Sequence, residues 1–214
     1  MVHRRLMEVV TVLTGGVSFE QAEKYLPHVS ALRRGRIAKK RGSEDKLLSL
    51  TAGLLLSLEI SGRTGIPRDK IRYTHGSYGK PYLEDGGLYF SLSHTAGAVC
   101  AAFSDEENGV DIERRGRRVS ERIRSRILSG NEQPLVRTGE DLLRIWVQKE
   151  AFLKRLGTGI ADDLRGADTT LMHDTAAFDC GEYLLGVSGR GAASADIRVM
   201  GLAELLARYD SFIQ

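Results

Sequence analysis

Apolar and polar positions along the chain alternate with two different periods, and the changes of period mark its elements. "MEVVTVL" (7–13) is a β-branched, apolar run and predicts a first strand. Ser18, with Glu20 and Gln21 close behind, opens a short helix over "SFEQAEKYLPHV" that Pro27 interrupts or ends. A basic stretch follows, with Arg33, Arg34, Arg36, Lys39, Lys40 and Arg41. It leads into a strongly apolar helix over roughly 43–60, with Ser43 as N-cap and Leu47, Leu50, Leu54 and Leu58 at helical spacing. "GRTGIPRDK" reads as a loop and "IRYTHGSYGKPYL" as a strand running into a Gly/Pro turn. "LYFSLSHTAGAVCAAFS" (88–104) predicts two strands around a small-residue break, and "NGVDIE" (108–113) the next strand. Helices are expected over 119–129 and 139–156, the second carrying Leu142, Leu143, Ile145, Trp146, Leu153 and Leu156 before "GTG" stops it. The remainder, "EYLLGVSG" and "ADIRVMGLAELL", is strand-rich with a short tail helix. Each half thus offers a long helix followed by antiparallel strands. The pattern predicts an α+β protein of two similar subdomains, 1–106 and 107–214, divided in the polar loop "SDEEN".

Composition changes this picture little. The 214 residues are 42% hydrophobic and 28% charged, with no apolar run long enough for a bilayer, so a soluble chain away from membranes is expected. No small-residue cleavage site follows the apolar start, which reads as a strand rather than a signal peptide. Cys100 and Cys180 lie far apart without metal-ligand spacing and suit buried thiols of a reducing cytoplasm. A net charge of +3 is too small to imply nucleic-acid binding.

Two short stretches carry candidate chemistry. In "NGVDIERR", Asp111 and Glu113 fall at the strand period on one face, while Val110 and Ile112 face a core. Paired carboxylates raise each other's pKa unless a cation lies between them, and an oxygen-only Mg²⁺ site would relieve that cost. The alternative is an exposed strand face neutralised by Arg114 and Arg115. In "WVQKEAFLK", helical spacing puts Trp146, Glu150 and Lys154 in one row. Glu150 and Lys154 are either a surface ion pair or a third metal ligand beside a phosphate-binding lysine. Lys80 sits on a turn stiffened by Pro81, and Ser93 and His94 precede small residues. Neighbours on a strand face opposite ways, so a direct Ser93–His94 proton relay is not expected. The stretch 33–46, ending in Lys46, suits a phosphate or an acidic partner better than stacked bases.

In order, "GKP" (79–81), "FSLSHT" (90–95), "GVDIE" (109–113) and "WVQKEAFLK" (146–154) resemble the motifs of the Sfp-type 4′-phosphopantetheinyl transferases. Ser91 stands where that family usually has Asn, and Val147 where it has Ser or Thr. The resemblance implies a pseudo-dimer of α+β halves that moves phosphopantetheine from coenzyme A to a serine of an apo acyl or peptidyl carrier protein, releasing 3′,5′-ADP. It implies Asp111, Glu113 and Glu150 as Mg²⁺ ligands, Lys154 on the transferred phosphate, and Glu150 or a metal-bound water as proton acceptor. Ser93 and His94 would contact nucleotide phosphates and Lys80 the adenine nucleotide. Arg33, Arg36 and Lys46 are candidates for the 3′-phosphate, and Glu132 resembles a further acid near the metal. A monomeric cytoplasmic enzyme of fatty-acid, polyketide or peptide synthesis is the expectation, its acidic carrier steered by 33–46 or by Arg114, Arg115, Arg117 and Arg118. Two other readings remain, a metal-dependent nuclease and a non-catalytic binder of coenzyme A. The nuclease pattern wants lysine two residues after the second acid, where this chain has Arg115.

Overall fold

The computed structural model describes residues 7–117, 119, 121–159 and 163–210. In chain order the elements are β1 (Glu8–Leu13), α1 (Phe19–Ala22), α2 (Ala31–Ala38), α3 (Ser43–Thr64), β2 (Tyr73–His75), β3 (Pro81–Leu83), β4 (Tyr89–Thr95) and β5 (Ala98–Ser104). Then come β6 (Gly109–Arg114), α4 (Glu121–Ile127), α5 (Gly139–Leu156), β7 (Thr175–Cys180), β8 (Tyr183–Ser188), β9 (Asp196–Gly201) and α6 (Leu202–Asp210). The class is α+β, as the residue pattern predicts.

Both halves use one plan. In the first, β1 leads through α3 to the hairpin β4–β5, and β5 pairs antiparallel with β1. In the second, β6 leads through α5 to the hairpin β7–β8, and β8 pairs antiparallel with β6. A polar loop joins β5 to β6. Residues 196–210 nevertheless return to the first half. There β9 pairs in parallel with β1, giving the order β4-β5-β1-β9, and Leu202, Leu205, Leu206 and Tyr209 enter the core around α3.

β1 is buried on both faces, which explains its unbroken apolar run. Val10 and Val12 pack with Leu50, Leu54 and Leu55 of α3, while Val9 joins Val110 and Ile112 of β6 in a second core. Of the α3 leucines, Leu47, Leu50 and Leu54 are buried and Leu58 is partly buried. The helix begins at Ser43 with Gly42 as N-cap, so Ser43 is its first residue and not its cap. α2 carries no apolar period that marks a helix, because Ile37 is its one buried residue and three arginines and a glycine fall among the rest. Of the helix expected over 119–129, Glu121–Ile127 is seen, and residue 120 lies outside the described residues. Both cysteines are free and buried.

α5 begins on a capping box between Thr138 and Asp141 and ends at Gly157 in the left-handed conformation. It lies so close on its sheet that a Cβ on Gly109 would stand 1.8 Å from the Ala151 carbonyl oxygen, and one on Gly186 2.0 Å from that of Val147. Backbone cannot yield as a flexible side chain can. Gly109→Ala is therefore expected to cost at least about 3 kcal/mol in urea unfolding.

Candidate active site

β4 and β6 run side by side across the two halves, and every second residue of β4 sends a hydroxyl to β6. The Ser91 hydroxyl accepts from the Val110 amide at 3.1 Å. That of Ser93 donates to Asp111 Oδ1 at 2.7 Å, and that of Thr95 to Glu113 Oε2 at 3.3 Å. This period-two row of hydroxyls fixes the height of the acidic strand. Ser91 and Thr95 are positioning residues that the motifs did not single out, although the alternation in "SLSHT" carried the signal. His94 faces the other way and is exposed, as strand geometry requires. Desolvation by surrounding protein, then the charges of Lys40 and Lys154, holds its imidazole below its ordinary pKa.

Lys154 reaches the same point from α5. Its ammonium donates to Asp111 Oδ1 at 2.6 Å and to Ser93 Oγ at 2.7 Å, so hydroxyl, carboxylate and ammonium form a closed triangle. One turn earlier Glu150 is buried, 4% exposed. Burial, then the negative charge of Asp111, pushes its carboxyl up to about 7, against the opposing pull of Lys154 and Arg117. Asp111 Oδ2 and Glu150 Oε1 are both buried without a hydrogen-bond partner. Two unsatisfied hard oxygens next to each other in charge but not in protein contacts suit a divalent cation. Glu113, on the same face, is ion-paired to Arg117, whose guanidinium lies 5.4 Å from the Trp146 ring centroid. Among the described residues no group of three His, Cys, Asp or Glu side chains stands at metal-holding spacing.

Glu150 and Lys154 open on a cavity of about 1330 Å³, lined also by Arg33, Arg36, Tyr73 and Lys80. Lys46 is not part of its lining; its ammonium lies 5.6 Å from the Phe19 ring centroid. Glu132 is also outside the lining. Both it and Lys149 are wholly buried and ion-paired at 2.6 Å, and Glu132 accepts further bonds from the Ser129 and Thr169 amides and the Thr169 hydroxyl. Its donors leave it nothing to offer a cation, which corrects its expected place near the metal.

The arginines after β6 are mostly occupied. Arg114 pairs with Glu182, and Arg115 with Glu140 and Asp179. Arg118 lies outside the described residues.

A family model described as the 4′-phosphopantetheinyl transferase superfamily matches residues 107–180, the segment that contains β6 and α5. The 4′-phosphopantetheinyl transferase ffp of Bacillus subtilis is 29% identical over 165 residues, 74% of this chain and 73% of its own. Sfp of B. subtilis strain 168 is 27% identical over the same shares. HetI of Nostoc sp. is 34% identical over 121 residues, 51% of each chain. Over residues 107–180 the chain is thus similar to the 4′-phosphopantetheinyl transferase superfamily.

Ser93→Ala would remove the shared hydroxyl between Asp111 and Lys154. A hydrogen bond to a charged group contributes about 1.5–3 kcal/mol to stability, so the melting temperature is expected to fall by several degrees, and kcat/KM roughly 10-fold or more in steady-state assays as Lys154 loses its anchor.

Proposed function

We propose that the protein transfers the 4′-phosphopantetheine group of coenzyme A to a serine hydroxyl of an apo acyl or peptidyl carrier protein, with Mg²⁺ and with release of 3′,5′-ADP. The observation that carries this reading is the triangle of Asp111, Ser93 and Lys154 beside buried Glu150, at the wall of a large cavity that Arg33 and Arg36 also line. Coenzyme A brings three phosphates and an adenosine, which such a charged cavity suits.

Asp111 and Glu150, each with an unsatisfied oxygen, would hold the cation, with Glu113 as the third ligand. Once bound, the cation would supply positive charge to the pyrophosphate as negative charge builds on the leaving oxygen. Lys154, anchored on Asp111 and Ser93, is pre-aimed to bind the phosphoryl group being transferred. The serine oxygen forms a bond to the β-phosphorus, the bridging P–O bond breaks, and 3′,5′-ADP leaves with that electron pair. The serine proton goes to Glu150, whose carboxyl lines the cavity one turn before Lys154. Arg33 and Arg36 are the candidates for the 3′-phosphate within the cavity.

The two halves of like topology support the pseudo-dimer division at 106/107, with residues 196–210 closing the first half. No helix among the described residues is long and apolar enough to cross a membrane, and we take the enzyme to act as a cytoplasmic monomer. Against the nuclease alternative, Arg115 is spent on Glu140 and Asp179 at the surface.

The test is to incubate the protein with coenzyme A, Mg²⁺ and an apo carrier protein and to weigh the carrier. A gain of one phosphopantetheine is expected. DNA cleavage without that gain, or coenzyme A binding without transfer, would overturn the reading.

A further inference from the structure

The lysine of "GKP" does something its place in the cavity wall does not suggest. An ammonium has three donors and no acceptor. All three of Lys80 are taken by protein oxygens: Glu107 Oε2 at 2.6 Å, the Asn108 carbonyl at 3.0 Å and the Arg155 carbonyl at 3.1 Å. The side chain is only 9% exposed. Its charge is therefore not available to a phosphate or a base, although Gly79, Lys80 and Pro81 line the cavity.

The acceptors come from two segments that carry the site. Asn108 immediately precedes β6, three residues before Asp111, and Arg155 directly follows Lys154. The Arg155 carbonyl belongs to the last turn of α5, where unpaired carbonyls and the helix dipole favour a cation. The stem of Lys80 also packs at the end of that helix: a Cβ on Gly157 would meet Lys80 Cδ at 3.5 Å. The lysine itself is rigidly presented. Gly79 takes φ +84, the Gly76 amide donates to the Lys80 carbonyl at 2.9 Å, and Pro81 fixes the start of β3.

We propose that Lys80 is a positioning residue, a clamp that ties the start of β6 to the end of α5 and so sets Asp111 against Lys154 without contacting coenzyme A. The role of those two groups rests on the function proposed above; the clamp itself rests on geometry alone.

The test compares Lys80→Met and Lys80→Arg with the wild-type protein. Coenzyme A affinity is measured by calorimetry without divalent cation, and kcat and KM with Mg²⁺ and saturating apo carrier protein. Amide hydrogen exchange is followed in peptides covering 108–113 and 152–158. For Lys80→Met, affinity and KM should stay within about twofold while kcat falls roughly 10- to 100-fold, because misplacement of reacting groups acts on the transition state. Exchange should rise in those two peptides and not in α3. Lys80→Arg should give a kcat between the two. A large loss of coenzyme A affinity with exchange unchanged would make Lys80 a ligand contact and overturn the proposal, as would a wild-type kcat. If Lys80→Met does not fold, Lys80→Arg decides: lowered kcat with affinity kept supports the clamp, and lost affinity or unchanged kcat overturns it. If the wild-type protein transfers no phosphopantetheine, the proposed function falls, and hydrogen exchange still tests the clamp.

Discussion

Glu150→Gln is expected to abolish transfer while leaving the metal-free protein more stable at pH 8. The activity loss should reach at least about 10³-fold in kcat/KM, because one substitution removes both a cation ligand and the proton acceptor. The gain in stability comes from burial. A carboxyl pushed up to about 7 by burial and by Asp111 keeps its proton in the folded state at pH values where the unfolded chain has already lost it. Its contribution to stability is thus fully present below about pH 4.5 and lost as pH rises through 7. The loss is of order 2–3 kcal/mol for a group this buried. Thermal melts without divalent cation should show wild-type stability falling from pH 5 to pH 8 more steeply than that of the glutamine variant. Adding Mg²⁺ at pH 8 should raise the wild-type melting temperature by about 5–10 °C and the variant's far less. A variant that keeps near-wild-type turnover would remove Glu150 from the chemistry. Equal pH slopes would show that its carboxylate is not strained.

Lys149→Met is expected to be the most destabilising of the polar substitutions near the site. Lys149 and Glu132 are both wholly buried, and the ammonium also donates to the Ile127 and Leu164 carbonyls. Together they tie α5 to the segment after α4 and to the segment before β7. Removing one partner leaves the other charged in a medium that cannot solvate it, at a cost of about 3–5 kcal/mol. Adding Glu132→Gln should recover part of that cost, since no charge stays buried. Its single amide oxygen can keep the Thr169 donors but then not the Ser129 amide, which bonds the other carboxylate oxygen. Urea unfolding of the two single variants and the double variant measures this coupling directly. Additive losses would show that the two side chains do not act as a pair.

Much of this was legible locally. α5 runs over Gly139–Leu156 as its apolar period and its stop glycine indicate. The apolar partners of Asp111, Val110 and Ile112, do enter a core. Spacing alone put Asp111 with Glu113 and Glu150 with Lys154, and the structure brings Asp111, Glu150 and Lys154 together. What was not legible depends on partners distant in sequence. No local pattern shows that Lys149 is buried and Lys154 is not, because both sit in the same motif and only the fold supplies Glu132 to one and Asp111 to the other. Lys80 looked like a nucleotide contact for the same reason, since its three acceptors lie 27 to 75 residues away. β9 reads as a strand, but nothing in its sequence names β1 as its neighbour.

That pairing of β1 with β9 has a consequence for the order in which the chain can mature. Glu8 stands opposite Asp196, so β1 is completed by a strand made long after it. During synthesis Val10, Val12 and the α3 leucines emerge long before Leu202, Leu205, Leu206 and Tyr209, which finish covering them. Apolar surface on the first half therefore waits until β9 and α6 have been made, and this closure joins residues far apart in sequence, a slow kind of contact to make. A ribosome stalled short of residue 196 would carry a half-covered core, vulnerable to chaperone capture and proteolysis.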